Sequence, residues 1–562
     1  MRQLCHSQAA ALKIAARECF LPSATLARVT EHFPACSSVL ITIDSKELAA
    51  KLQPELVHLS RLSSLSSLEL EFSTGSSTSH CVTPLLSRVQ QQLTRLRRLS
   101  LSLADTWGGS NKPWQVLSCA SQLQCLAVSF ETSLVNPFSL KHCLAGLTGA
   151  DSSSLTNSSS SSGSLASSLT SLSISGSLSA RATTDYQGLS RLTALQQLSL
   201  PVASLRGTGS IGLCTALRCL ELRVHRTLEN QEFYSSGVLG QLTLLTELRL
   251  PEGFNSGRPA FLTALQQMRQ LAVLQLKALV RAALPVLASL TRLTELHGTW
   301  AGEPVAQAAA AAAAAAAAVG ADAADAGSAI AAGSGVACSS VRLLNGAGPI
   351  PFEAFPNLET VKQLAPWPPA LFCSLCQHCP MLRRLDASEG FAEVPDSNSE
   401  EDSDDGVVGH YESMPTMVPP PLPERLAAIR ALAKLQSLEQ LSMNLDVCIE
   451  LSVLARQGPQ QLKGLRLVFD DSRSTAAAGL MSLAVLKQLQ LLVLELPRYA
   501  TELLLTPYEL QSVLGALSGG PAVRLLLPEA TQRWVLKAVE EARQLGMDLP
   551  RDLSFGEPQR LW

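Results

Sequence analysis

The stretch LSRLTALQQLSL, residues 189–200, decides the fold, because its leucines follow the pattern L-x-x-L-x-x-L-x-L. The pattern returns in LSRLSSLSSLEL (59–70), LTRLRRLSL (93–101), LGQLTLLTELRL (239–250), LTALQQMRQLAVLQL (262–276), LASLTRLTEL (287–296), LAKLQSLEQLSM (432–443) and LAVLKQLQLLVL (483–494). Between Leu68 and Leu296 the successive copies are 22 to 31 residues apart, except for one step of 46 residues that contains a serine-rich insertion. Eight matches in phase indicate a true repeat.

The spacing of the leucines predicts how each repeat folds. In the terminal L-x-L, alternate side chains point to opposite faces of a strand, so both leucines enter the core. The preceding L-x-x-L suits a helix or helical turn that covers the other side. One such unit cannot bury its leucines alone, whereas stacked neighbours bury them in a continuous column.

The repeat resembles the leucine-rich repeat family, and the resemblance covers about four-fifths of the chain. It implies an α/β solenoid with a curved parallel sheet on its concave face, helices and loops on its convex face, and disordered insertions. The family's asparagine after the strand is missing, as in PVASL (201–205). The longer steps and CPMLRRLD (379–386) are similar to the cysteine-containing subclass found in F-box substrate receptors. The F-box opening L-P-x-x-L and its tryptophan are absent from the first residues.

Composition shifts divide the chain into segments. We expect an N-terminal helical cap (1–25), a first repeat block (26–305) with a serine-rich loop (149–168), an alanine-rich linker (306–340), a second block (341–392), an acidic and proline-rich disordered linker (393–425), a third block (426–527), and a C-terminal capping helix and tail (528–562). In that last helix, Val535, Val539, Ala542 and Leu545 should share one face, and Gly546 should end it.

Composition also limits the function. The 562 residues carry a net charge of −3 with 16% charged residues, which gives no reason to expect a nucleic acid or an acidic membrane surface as partner. Fourteen cysteines, several within apolar runs, favour a reducing compartment. The N-terminus lacks the apolar segment of a secretory signal, and no apolar run is long enough to predict a membrane span. We expect a cytoplasmic protein, with the ciliary axoneme or the nucleus as alternatives.

Three motifs resemble known binding motifs, and the first two also have a purely structural explanation. SLRGTGSIGLCTAL (204–217) contains the dinucleotide-binding spacing G-x-G-x-x-G but lies between two repeats, where a turn is expected. CSLCQHCPML (373–382) lacks the second ligand pair of a zinc site, so Cys373, Cys376 and Cys379 should pack on a helix face. PPLPER (420–425) fits the SH3-ligand form P-x-x-P-x-R. We expect no catalytic residue, cofactor or metal.

The residues that alternate with the strand leucines carry the most useful signal. In the central repeats they are Glu221, Arg223, Glu247, Arg249, Gln275, Lys277, Glu295 and His297. Earlier repeats place Ser100, Ser102, Ser173, Ser175 and Ser199 there. Equivalent residues of parallel strands lie side by side, which predicts one acidic and one basic column beside a serine-rich face. These charges either neutralise one another in solvent or form a protein-binding surface, since solenoids bind partners on the concave face.

The sequence leaves three functions open. The first is a non-catalytic scaffold that binds a protein partner on the concave surface. The second, implied only by the resemblance to F-box repeat proteins, is the substrate-recognition subunit of a cullin-type ubiquitin ligase, with a ligase adaptor as partner. The third is a cytoskeletal or ciliary axonemal component, because leucine-rich repeat proteins commonly serve there.

Overall fold

A computed structural model describes most of the chain. The described residues are 11–15, 25–43, 46–72, 79–103, 112–130, 144, 146–148, 165–176, 186–202, 209–224, 238–255, 259–301, 336–389, 420–444, 448–469, 477–495, 507–527, 529–547, 549–550 and 552–556. The chain divides into two compact units, Met1–Lys277 and Ala278–Trp562. Most of the predicted serine-rich loop, alanine-rich linker and acidic linker lie outside the described residues, as does Gly207.

The first unit is built on a parallel sheet. Its strands are β1 (Ala11–Ala15), β2 (Ser38–Ile43), β3 (Ser67–Phe72), β4 (Arg98–Leu103), β5 (Cys125–Phe130), β6 (Ser171–Ser175), β7 (Gln197–Val202), β8 (Cys219–Val224), β9 (Glu247–Asn255) and β10 (Val273–Leu279). Each strand from β1 to β8 pairs in parallel with the next strand along the chain.

Helical segments connect these strands. They are α1 (Thr25–His32), α2 (Lys46–Leu59), α3 (Ser79–Gln92), α4 (Lys112–Ser118), α5 (Leu165–Ser168), a 3₁₀ helix (Gln187–Arg191), α6 (Gly209–Gly212), α7 (Val238–Gln241) and α8 (Pro259–Gln267).

The second unit repeats the same organisation. Its strands are β11 (Glu295–Trp300), β12 (Leu343–Ala347), β13 (Thr360–Gln363), β14 (Arg384–Ala387), β15 (Gln440–Asn444), β16 (Gly464–Val468), β17 (Leu491–Glu495), β18 (Ala522–Leu526) and β19 (Leu553–Gly556). Consecutive strands again pair in parallel.

Helices also join the strands of the second unit. They are α9 (Leu284–Ser289), α10 (Pro369–His378), α11 (Leu422–Ala431), α12 (Cys448–Gln457), α13 (Ala477–Ser482), α14 (Pro507–Ala516), α15 (Glu529–Gln544), and the 3₁₀ helices Arg281–Ala283, Phe352–Ala354, Leu432–Lys434 and Leu483–Val485. None of the helices described in either unit is long and apolar enough to cross a lipid bilayer.

Two successive 3₁₀-type turns explain the L-x-x-L-x-x-L spacing. The N–H of Leu192 donates to the carbonyl of Leu189 at 2.9 Å, and the N–H of Leu195 donates to that of Leu192 at 3.1 Å. Because a 3₁₀ helix has three residues per turn, these leucines emerge on one side, where they are fully buried. Leu198 and Leu200 of β7 continue the same core. The predicted α/β leucine-rich repeat solenoid is confirmed by this geometry.

Cysteine replaces the first leucine of several repeats. Leu217 donates its N–H to the carbonyl of Cys214, and Leu382 does the same to Cys379. The thiol of Cys214 donates to the carbonyl of Leu189 at 3.3 Å, which ties one repeat to the one before it. Burial raises the pKa of Cys214 to about 11 and that of Cys379 to about 12. These cysteines therefore pack as neutral thiols.

Main-chain hydrogen bonds join each repeat to the next at the start of the strand. The N–H groups of Gln196 and Gln197 both donate to the carbonyl of Thr170, at 2.7 and 2.9 Å. One repeat later, Arg218 and Cys219 donate in the same way to the carbonyl of Gln196. A single carbonyl per repeat thus accepts two bonds at the start of the strand.

Three predicted segment assignments are wrong in part. Ala11–Ala15, expected in a helical cap, forms strand β1, since it continues the parallel sheet beside β2. Helix α11 begins at Leu422, inside the predicted disordered linker 393–425. Helix α15, expected as the capping helix, is followed by strand β19, which pairs in parallel with β18, so the helix lies between two strands of the sheet.

The face of α15 was predicted with one error. Val535, Val539 and Ala542 are buried as expected. Leu545 follows the last helical residue and is 74% exposed, because the chain leaves the helix there. Gly546 adopts a φ of 71°, the left-handed conformation typical of a glycine that ends a helix.

Candidate partner-binding surface

We call the sheet face opposite the helices the open face. In β3 the inward residues Leu68, Leu70 and Phe72 are buried, while the alternate residues are partly exposed. The same alternation holds through most of the first unit. The leucine pattern therefore fixes which side chains are available to a partner.

The side chains at the centre of the first unit's open face are small and uncharged. The strand register places Ser100 beside Ala127, Ala127 beside Ser173, and Ser173 beside Ser199. A second row runs from Ser102 through Ser129 to Ser175. The predicted serine-rich face is confirmed, and it lies between two charged strands: β3, with Glu69 and Glu71 beside Ser100 and Ser102, and β8.

A charged cluster lies on β7, β8 and β9; we define it as Ser199, Glu221, Arg223, Glu247 and Arg249. Ser199 Oγ donates to Glu221 Oε2 at 2.9 Å, and Arg223 Nε donates to Glu221 Oε1 at 2.8 Å. Arg249 Nε pairs with Glu247 Oε1 on the same strand. Strands β8 and β9 therefore each carry their own neutralising pair, formed by residues two positions apart.

The predicted separation into an acidic and a basic column is wrong. The register places Arg249, not Glu247, beside Glu221, and it places Glu247 beside Cys219. The two strands carry their Glu-x-Arg sequences two residues out of step relative to the core leucines Leu220 and Leu248. Opposite charges therefore meet across the strands as well as along them.

The surroundings of Glu221 and Cys219 shift the pKa values of both side chains. Burial alone raises the pKa of Glu221, but hydrogen bonds from Arg223 and Ser199, with the charges of Arg223 and Arg249, outweigh it and hold the pKa below its ordinary value. Partial burial, with the charge and hydrogen bond of Glu247, raises the pKa of Cys219 to about 12. Glu221 is therefore a carboxylate at neutral pH, and Cys219 is a thiol.

The guanidinium groups are the outermost part of the charged cluster. The side chains of Arg223 and Arg249 are 48% and 46% exposed, whereas those of Glu221 and Glu247 are 22% and 26% exposed. Each carboxylate is engaged underneath, and each arginine keeps further N–H donors for a second acceptor. The cluster thus offers donors to an approaching molecule although its formal charges balance.

Of the other four predicted residues, two lie on β10, which pairs with β9 of the charged cluster, and two lie in the second unit. Gln275 and Lys277 are on β10, where Lys277 is exposed. Glu295 and His297 belong to β11 in the second unit. Asn345 Nδ2 and His297 Nδ1 lie 2.7 Å apart, and His297 Nε2 lies 3.6 Å from Glu295 Oε2.

A buried ion pair on the open face of the second unit was missed. Arg466 Nε donates to Glu495 Oε2 at 2.8 Å, and both side chains are largely buried. Ser442 and Val493, the residues beside Arg466 in the register, are also buried. The sequence offers no warning, because the leucine–arginine–leucine of β16 has the same form as that of β9.

The chemical motifs fold as structural segments. Cys376 and Cys379 are buried with pKa values raised by burial to about 12, and no group of three or more potential ligands is arranged for a metal among the residues described above. A Cβ on Gly212 would lie 3.3 Å from the carbonyl of Val238, so that glycine allows close packing against the next repeat. Arg425 of PPLPER is buried and paired with Glu450, which removes it from SH3-type recognition.

Comparisons with known proteins add a fold-level likeness only. No family model matches the sequence, and no curated protein matches it either. Among solved structures, the chain is similar to an internalin (inlF) from Listeria monocytogenes, with 12% identity over 82% of this chain and 88% of that one and a TM-score of 0.27. A likeness at this level carries no information about function, and the fold class rests on the repeat geometry above.

Proposed function

We propose that this protein is a non-catalytic scaffold that binds a protein partner on its open face, centred on the charged cluster. The observation that supports it is the layering of that cluster, in which half-exposed guanidinium groups of Arg223 and Arg249 cover carboxylates that are already engaged. Exposed donors beside a serine-rich surface suit the polar side chains and backbone carbonyls of a protein, and arginine is enriched where protein interfaces bind most strongly.

The state of the cysteines favours a non-catalytic role. A nucleophilic cysteine needs a lowered pKa, whereas the pKa values of Cys214, Cys219, Cys338, Cys376 and Cys379 are all raised to about 11 or 12. His297 has Asn345 and Glu295 as neighbours.

Affinity enrichment with quantitative mass spectrometry tests the proposal. The baits are the tagged full-length wild type, a variant with Arg223, Arg249 and Lys277 changed to Glu, and a control with Arg342 and Arg383 changed to Glu. We expect at least one protein to be retained by the wild type and the control and lost with the first variant. Identical protein sets with all baits would refute the charged cluster as the binding site.

The same experiment distinguishes the two alternative functions. A cullin adaptor among the retained proteins would favour the ubiquitin-ligase hypothesis, although the F-box signature is absent. Tubulin or axonemal proteins would favour the cytoskeletal hypothesis, which co-sedimentation with microtubules then tests directly. Neither alternative has a specific residue in its favour, so the scaffold hypothesis stands first.

A further inference from the structure

A second surface of the first unit lies at the edge where β2, β3, β4 and β5 begin. Two adjoining hollows of about 910 and 500 Å³ open there, and both are lined by Ser66 and Arg97. Arg95 lines the larger hollow and Arg98 the smaller one. Serine, threonine and glutamine side chains supply most of the remaining polar lining, and none of the lining residues is acidic.

The leucine pattern explains why the arginines are exposed. Leu93, Leu96 and Leu99 point into the core and are buried. Arg95, Arg97 and Arg98 stand between them and are exposed. Backbone bonds hold this segment in place: the N–H groups of Arg97 and Arg98 both donate to the carbonyl of Ser66 at 2.9 Å.

These arginines differ from several other basic residues of the repeats. Arg223, Arg249, Arg342, Lys362 and Arg466 each pair with a carboxylate. No described carboxylate lies within ion-pair distance of Arg97 or Arg98, and Arg95 Nη1 donates only to the carbonyl of Ser63, at 3.3 Å. The three charges are thus uncompensated.

An identical pair in the second unit provides the contrast. Arg383 and Arg384 follow Leu382 as Arg97 and Arg98 follow Leu96, and both N–H groups donate to the carbonyl of Glu359. Glu359 precedes this pair in the ladder and Glu439 follows it. At the first pair the corresponding residues are Ser66 and Gln124. Neither Arg383 nor Arg384 has a described carboxylate within ion-pair distance, and Glu359 and Glu439 pair with Arg342 and Lys463 instead. The two arginine pairs therefore differ in the residues beside them, which are glutamates at the second pair and uncharged residues at the first.

We propose that Arg95, Arg97 and Arg98, with the hydroxyl groups around them, bind an acidic segment of a protein partner. Guanidinium groups donate two parallel hydrogen bonds to a carboxylate, and the hydroxyl groups supply further donors. Nucleic acid is the less suitable ligand. The lining residues include no aromatic side chain on which a base would stack, and three arginines neutralise few phosphates.

Fluorescence anisotropy with a fluorescein-labelled octaglutamate peptide tests this surface. The full-length wild type should bind the peptide, and added salt should weaken binding. Changing Arg97 and Arg98 to Glu should weaken it roughly tenfold or more, while the same change at Arg383 and Arg384 should alter it by less than about twofold. Changing Arg223 and Arg249 to Glu should leave binding intact, so failure here is distinct from failure of the proposed function.

Two outcomes would overturn the proposal. One is the absence of peptide binding, or equal losses in the two arginine-pair variants, which would indicate general charge attraction. The other is tighter, Arg97-dependent binding of labelled octauridylate, which would indicate a nucleic-acid site. If circular dichroism shows that the glutamate variant is unfolded, R97Q/R98Q replaces it, with R383Q/R384Q as its control. R97Q/R98Q should again weaken peptide binding more than its control does.

Discussion

Arg425 Nε lies 3.2 Å from Glu450 Oε1, and the two side chains are only 10% and 1% exposed. The pair joins helix α11 to helix α12 in the helical layer of the second unit. Burying a charge is costly unless its partner is present, so each residue requires the other. This pairing is also why a sequence of the SH3-ligand form is part of a folded helix.

Changing Glu450 to Ala should therefore destabilise the second unit by roughly 3–5 kcal/mol, because it leaves the charge of Arg425 buried without its partner. Urea unfolding followed by circular dichroism measures the loss. The matched control is Glu541→Ala, which breaks the exposed pair Lys537–Glu541 and should cost less than about 1 kcal/mol. The double variant R425M/E450L should recover most of the stability, and a double variant no better than E450A would count against the explanation.

Leucines of the repeat pattern should matter far more than their exposed neighbours. Leu198 is buried within the core of β7, and Ser199 is the next residue, on the open face. We expect Leu198→Ala to destabilise the protein by roughly 2–5 kcal/mol, since it removes buried apolar volume, and Ser199→Ala to have only a small effect. Thermal unfolding of the two variants compares them directly. Similar losses would mean that the strand faces are assigned incorrectly.

The reactivity of Cys219 tests the geometry of the charged cluster. Its pKa is raised to about 12 by partial burial and by Glu247, so iodoacetamide should modify it slowly at pH 8 although it is partly exposed. Glu247→Gln removes the negative charge, lowers the pKa of Cys219 and should increase the alkylation rate. Mass spectrometry of the Cys219 peptide at several pH values measures this. The control variant Glu295→Gln should leave the rate unchanged, and an unchanged rate in E247Q would place Glu247 away from the thiol.

Glu221 should link folding to pH. Because its pKa in the folded protein lies below the ordinary value, the ionised form stabilises the fold above the ordinary pKa, and that contribution disappears as the pH falls through the folded-state pKa. Glu221→Gln should thus be less stable than the wild type at pH 7, and the difference should close in acid. Urea midpoints at neutral and acidic pH measure the two gaps. A gap that persists unchanged in acid would contradict the assigned charge interactions.

The repeat pattern predicted the core almost completely. Leucines three residues apart share one side of a helical turn, and leucines two residues apart share one face of a strand, so the pattern itself identifies the inward side chains. Leu192, Leu195 and Leu198 are buried as the sequence indicates. The pairing of charged residues across the strands was not predicted. Glu221 lies beside Arg249 because Leu220 aligns with Leu248, and each Glu-x-Arg sequence stands at a different position relative to its leucine. The pairing of Arg425 with Glu450 also escaped prediction, since it joins residues of two helices through side chains alone.

Site-specific photo-crosslinking tests the central claim, that the open face binds a protein, most directly. A photoreactive phenylalanine analogue would replace Ser173, in the middle of the serine-rich face, or the exposed Gln266 of helix α8 as the control position. The protein retained by the wild type in affinity enrichment should crosslink through position 173 and not through position 266. Crosslinks through position 266 alone would contradict the account and place the partner on the helical side.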